Sequence, residues 1–60
     1  LEVFIKPYNF TGVMEYRRRD NLFKVVSLED EDIWCTFNEN DIKSVKIKNN
    51  GDITIDLIED

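Results

Sequence analysis

Residues 42 to 57, reading I-K-S-V-K-I-K-N-N-G-D-I-T-I-D-L, constrain this chain more than any other stretch. Apolar residues alternate on both sides of a turn cluster, Val45 and Ile47 before it and Ile53, Ile55 and Leu57 after it. That is the period-two pattern of strands with one buried face. A two-residue Asn50-Gly51 turn would set Ile47 against Thr54 and Lys48 against Ile53, mixing the faces. A three-residue loop of Asn49, Asn50 and Gly51 sets Ile47 against Ile53, Val45 against Ile55 and Lys46 against Thr54. It also puts Gly51 at the left-handed position of a type I turn with a G1 bulge, with Lys48 opposite Asp52. The spacing therefore predicts a β-hairpin with a three-residue loop and one dry face.

The rest of the chain arranges itself around this hairpin. Leu1, Val3 and Ile5 alternate with Glu2, Phe4 and Lys6, which reads as a strand, and Pro7 ends it or confines it to an edge because proline cannot donate to a ladder. Gly12 to Arg19 fits either a bent strand or one and a half helical turns. Strand is preferred, because Gly12 permits a sharp bend and Asp20-Asn21 makes a hairpin turn into the β-rich run from Leu22 to Leu28. Four consecutive carboxylates, Glu29 to Asp32, repel one another and belong in a solvated loop leading to Ile33-Trp34-Cys35-Thr36-Phe37. Asn38 to Asp41 reads as a polar 3₁₀ turn closed by Asn or Asp side chains.

This gives strands near residues 1–7, 12–18, 22–29, 32–38, 42–48 and 53–58 with short turns and no long helical pattern. The expected fold class is all-β, a small, strongly bent antiparallel sheet or open barrel ending in a C-terminal hairpin.

Sixty residues make a single domain over residues 1–60, and a domain of this size buries only about 60% of its unfolded surface. There is no His and a single Cys, so the disulfides and metal sites that staple many small domains are missing. A partner or a second copy is one way to supply the extra burial. Cys35, flanked by Trp34 and Thr36, reads as a buried small hydrophobe in a reducing compartment, and one thiol without His cannot build a tetrahedral zinc site. No run of about 18 apolar residues and no signal peptide occurs, so the expectation is a cytosolic protein without membrane contact. The start at Leu1 without an initiator Met reads as a domain excised from a longer protein. The net charge of −5 is uneven: residues 1 to 30 hold five basic and five acidic side chains, residues 31 to 60 three basic and eight acidic. An acidic second half repels nucleic-acid phosphates and favours basic partners.

Catalysis has little to work with. Without His, and with no Ser or Cys beside a base, nucleophilic triads are unavailable, and pairs such as Asp30/Asp32 or Glu39/Asp41 sit in solvated loops. The expectation is a non-enzymatic domain without a cofactor. Three binding readings follow. A four-residue loop at 29–32 would pair Leu28 with Ile33 and Val26 with Cys35, leaving Phe23, Val25 and Trp34 as an apolar patch on the second face. Such a patch, or an unpaired sheet edge, would serve a protein partner or self-association. The alternative is single-stranded nucleic acid held by Arg17, Arg18 and Arg19 with Tyr16 and Phe23 stacking nearby. In a strand only Arg17 and Arg19 share a face, and Glu15 and Asp20 are at hand to neutralise them. The third is a small acidic inhibitor that mimics nucleic acid.

The order of elements, with Gly12-Val13-Met14-Glu15-Tyr16, Ile33-Trp34-Cys35-Thr36-Phe37 and the closing Asp41-Ile42-Lys43-Ser44-Val45-Lys46-Ile47, resembles the Sm-like small barrels and related bacterial SH3-like domains, including the YolD-like group. The resemblance spans most of the chain and implies a small barrel. It departs from Sm proteins where their RNA-binding Arg-Gly dipeptide should stand, since Asn40-Asp41 occupies that place. The resemblance therefore does not imply RNA binding.

Overall fold

A computed structural model describes residues 2–59; Leu1, which the alternation assigns to the first strand, lies outside them. Six strands form one sheet: β1 (Val3–Lys6), β2 (Phe10–Arg17), β3 (Leu22–Ser27), β4 (Trp34–Phe37), β5 (Ile42–Ile47) and β6 (Ile53–Leu57). A 3₁₀ turn, Glu39–Asp41, joins β4 to β5, with a capping box in which Asn38 Oδ1 accepts from the Asn40 N–H at 2.8 Å and Asp41 Oδ2 accepts from the Asn38 N–H at 3.1 Å. The described residues contain no α-helix, and hence none long and apolar enough to cross a membrane.

The strand order is β4-β3-β2-β1-β6-β5. All neighbours are antiparallel except β1 and β6, which run parallel with Val3 beside Ile53 and Ile5 beside Ile55. The sheet is thus mixed rather than wholly antiparallel. It is not closed, since β4 and β5 are both edges. The Cα envelope measures 27 × 24 × 24 Å; a flat sheet would be thin in one direction, so near-equal extents require that this one curl around its own inner face. Buried on that face are Val3, Ile5, Val25, Phe37, Ile55 and Leu57.

Gly12 permits the curl by its size. It is buried in β2 between Val3 and Ser27, and a Cβ at this position would overlap the Val26 carbonyl oxygen and lie 2.9 Å from Val25 Cγ1.

The C-terminal hairpin has the register its alternation predicts, with Val45, Lys46 and Ile47 facing Ile55, Thr54 and Ile53. Its loop is closed by Gly51, at φ 92°. The Lys48 N–H donates to the Asp52 carbonyl at 2.8 Å, and the Gly51 N–H donates to the Lys48 carbonyl at 3.0 Å. The expectation of a dry face holds for β6 and fails for β5. Ile55 is buried, whereas Ile47 on the same face is 72% exposed, because β5 is an edge strand and the curl does not reach over it.

The β3–β4 hairpin departs from the expected register by one residue. Val26 faces Trp34 and Val25 faces Cys35, so the loop is Leu28–Asp32 instead of 29–32. Local polar bonds take up the extra residue: Ser27 Oγ accepts the Glu29 N–H at 3.2 Å, and Asp30 Oδ1 accepts the Asp32 N–H at 2.9 Å. The Leu28 N–H meanwhile donates to the Thr11 carbonyl at 3.1 Å, which carries the β2–β3 ladder one residue past Ser27.

Candidate protein-interaction surface

The one-residue shift redistributes the patch expected from Phe23, Val25 and Trp34. A slip of one residue moves every side chain of a strand to the opposite face. Val25 therefore points inward and is 0% exposed, while Trp34, opposite Val26 on the outer face, is 53% exposed. Phe23 is half-buried on the inner face, its ring 5.5 Å from Phe37 in a stacked arrangement and 4.7 Å from Tyr16 in a tilted one. Val25 is thus unavailable to a partner, and Phe23 belongs to an inner aromatic row with Tyr16 and Phe37.

Trp34 has other neighbours. It shares an open, shallow cleft of about 380 Å³ with Tyr8, Phe10, Ile33 and Cys35. Tyr8 and Ile33 are exposed, and Phe10 and Cys35 are half-buried. Tyr8 lies in the turn between β1 and β2, which the Asn9 N–H closes on the Ile5 carbonyl at 2.8 Å with Asn9 at φ 57°. Ile33 is fixed at the end of the acidic loop by two bonds, its N–H to the Asp30 carbonyl at 2.9 Å and its carbonyl from the Ser27 N–H at 2.8 Å. The carboxylates of Glu29 to Asp32 are therefore carried on the loop that ends at the cleft. The Lys24 ammonium stands 4.8 Å from the Trp34 ring centroid, and such a cation over an aromatic face adds about 0.5–1 kcal/mol at an exposed site. It holds the indole against β3. Burial pushes the Cys35 thiol above its ordinary pKa, so at neutral pH it stays protonated and contributes apolar surface rather than a nucleophile.

Tyr8 and Ile33 carry no distinguishing sequence pattern. The β1–β2 turn and the acidic loop place them next to Trp34, and a turn at Tyr8-Asn9 leaves only a weak local signal.

The arginine cluster is arranged differently from the strand expected of it. Only Arg17 lies in β2; Arg18 and Arg19 belong to a turn in which the Asp20 N–H donates to the Arg17 carbonyl at 3.2 Å. Asp20 takes both outer guanidinium groups, Arg17 Nη2 at 3.0 Å and Arg19 Nε at 3.7 Å. Tyr16 donates its hydroxyl to Asn21 Oδ1 at 2.9 Å and packs at a tilt against Phe23. The three arginines and Tyr16 are thus brought together at one sheet corner, with an aspartate already in the middle of the charge. Among the described residues no three His, Cys, Asp or Glu side chains are grouped to hold a metal ion.

The second unpartnered feature is the outer edge of β5, where Val45 and Ile47 are exposed on one face and Lys46 on the other. Compared with known proteins, the chain matches no family model, and no curated protein and no solved structure resembles it significantly.

Proposed function

We propose that this chain is a non-enzymatic interaction domain that takes an apolar, basic segment of a partner protein into the Trp34 cleft. The observation that carries the reading is the convergence of Tyr8, Ile33 and Trp34, three large apolar side chains that are exposed around one cleft. Single exposed apolar residues need no explanation, but aromatic residues gathered around a concavity are the usual anchors of an interface. The sign of the partner's charge follows from Glu29 to Asp32 on the adjoining loop and from the chain's net −5.

Trp34 is the only tryptophan, so it reports its own occupancy. Titrating the domain with short peptides that alternate leucine with lysine is expected to shift the Trp34 emission to shorter wavelength, while peptides alternating leucine with glutamate leave it unchanged. Tyr8→Ala and Ile33→Ala together, which keep the reporter, are expected to weaken the lysine peptide by about tenfold or more, the loss of about 1.4 kcal/mol or more seen when interface anchors are truncated. Equal responses to both peptides would remove the charge argument, and an unshifted emission with either would remove the cleft. Self-association through the same surface would appear as an emission shift that grows with protein concentration alone.

A further inference from the structure

Asn50 is the one asparagine in the chain followed by glycine, and it is held in an unusual way. Its side chain makes two bonds to the same residue: Nδ2–H donates to Asp52 Oδ2 at 3.1 Å, and Oδ1 accepts the Asp52 N–H at 3.0 Å. The other carboxylate oxygen of Asp52 accepts the Glu2 N–H at 3.3 Å. The Asn50 amide therefore locks the hairpin loop, and through Asp52 it reaches Glu2, the residue just before β1, which lies fifty positions from Asp52 in sequence.

We propose that Asn50 is a site of spontaneous deamidation, gated by opening of this loop, whose product loosens the β5–β6 hairpin. Gly51 has no side chain to shield its backbone nitrogen. In the reaction that nitrogen attacks Asn50 Cγ, an N–Cγ bond forms, the Cγ–Nδ2 bond breaks, and Nδ2 leaves as ammonia with the proton from Gly51. Water then opens the cyclic imide at one carbonyl or the other, giving aspartate or isoaspartate. No oxidant or enzyme is needed, and the only co-reactant is water.

The folded loop opposes the first step. The attacking nitrogen's proton is donated to the Lys48 carbonyl at 3.0 Å, and the side-chain carbonyl is held by the Asp52 N–H. These bonds belong to one turn and are lost together when it opens, so the reaction draws on the open population. The product cannot re-form the lock. Aspartate at position 50 has no donor for Asp52 Oδ2 and sets a second negative charge beside the first. Isoaspartate adds a backbone methylene to a three-residue loop that fixes the pairing of Ile47 with Ile53.

The test follows the intact chain at one pH and temperature, in native buffer and in urea above its unfolding midpoint. Mass spectrometry of the peptide spanning residues 48–53 would read the amide-to-acid mass gain and the isoaspartate fraction. Asn50 is expected to disappear about tenfold more slowly in the native state, the ratio given by a local opening free energy of about 1.4 kcal/mol. Equal rates would overturn the gating. For the product, Asn50→Asp is expected to lower the thermal midpoint, and Asn50→Asp combined with Asp52→Asn, which restores a carboxylate–amide pair with the roles exchanged, to recover it. An Asn50→Asp protein as stable as the parent, or a double variant no better than the single one, would overturn the lock.

Discussion

Gly12→Ala is expected to leave the domain largely unfolded. The added methyl has nowhere to go: it would overlap the Val26 carbonyl oxygen, lie 2.6 Å from the Val26 carbonyl carbon and 2.9 Å from Val25 Cγ1. Two of these three neighbours are backbone atoms of β3, which pairs with β2 from Gly12 to Arg17. They can retreat only by separating the ladder. Overpacking a well-filled core by a methyl costs about 1–3 kcal/mol even where side chains can adjust. A folded chain has roughly 0.05–0.15 kcal/mol of net stability per residue, about 3–9 kcal/mol for a chain of this length, so that a loss above the upper end of the overpacking range takes a third of it at least and all of it at the lower bound. Gly51→Ala is the internal comparison, because Gly51 is a glycine for its left-handed φ of 92° rather than for lack of space. That conformation costs an L-residue roughly 1–2 kcal/mol. Urea titrations of both variants should show Gly51→Ala with a lowered midpoint and Gly12→Ala with little or no cooperative transition. If Gly12→Ala is the milder of the two, the close approach of β2 and β3 is wrong.

Ile5→Ala is the second large effect. Ile5 is 0% exposed, at the centre of the inner face between Phe10 on β2 and Ile55 on β6. Truncating a fully buried isoleucine removes about 2–5 kcal/mol, the spread depending on how far the cavity collapses. Collapse is limited here, since the neighbours are held by ladders on both sides. Ile47→Ala removes the same atoms from the same face of the sheet at a position 72% exposed, and should change stability by no more than about 0.5 kcal/mol. The contrast between the two variants measures the curl directly. A large loss at Ile47 that depends on protein concentration would mean that a second copy covers the β5 edge.

The two hairpins show what was legible in the sequence and what was not. The register from Ser44 to Asp56 could be read because Gly51 admits one turn geometry and the alternating residues penalise every other pairing, whereas the shift that pairs Ile42 with Leu57 carries no such signal. The β3–β4 register could not, because Leu28 is apolar and continues the strand pattern, while the bonds that shape the longer loop come from the Ser27 and Asp30 side chains. That single residue sent Val25 inward and separated it from Trp34. Exposure at Val45 and Ile47 was hidden for another reason. Alternation tells which side chains share a face, but whether a face is covered depends on the strand's place in the sheet, and the position of β5 at an edge follows from β6 pairing with β1. Tyr8 and Ile33 joined the candidate site only through folding, whereas Trp34 could be named from residue type alone.

The parallel pairing of β1 with β6 also sets the order in which this domain can be completed. β1 meets β2 across a short turn, but its other edge is filled only by residues 53–56, about fifty positions later. Buried partners of Val3 and Ile5 on β6 therefore emerge about fifty residues after them during synthesis, and until then the first strand offers a bare edge and an uncovered inner face. Chains whose contacts span most of their length close slowly, in milliseconds to seconds instead of microseconds. A chain stopped before Ile53 should accordingly show no cooperative unfolding, although the β2–β3–β4 meander it contains is made of neighbouring strands.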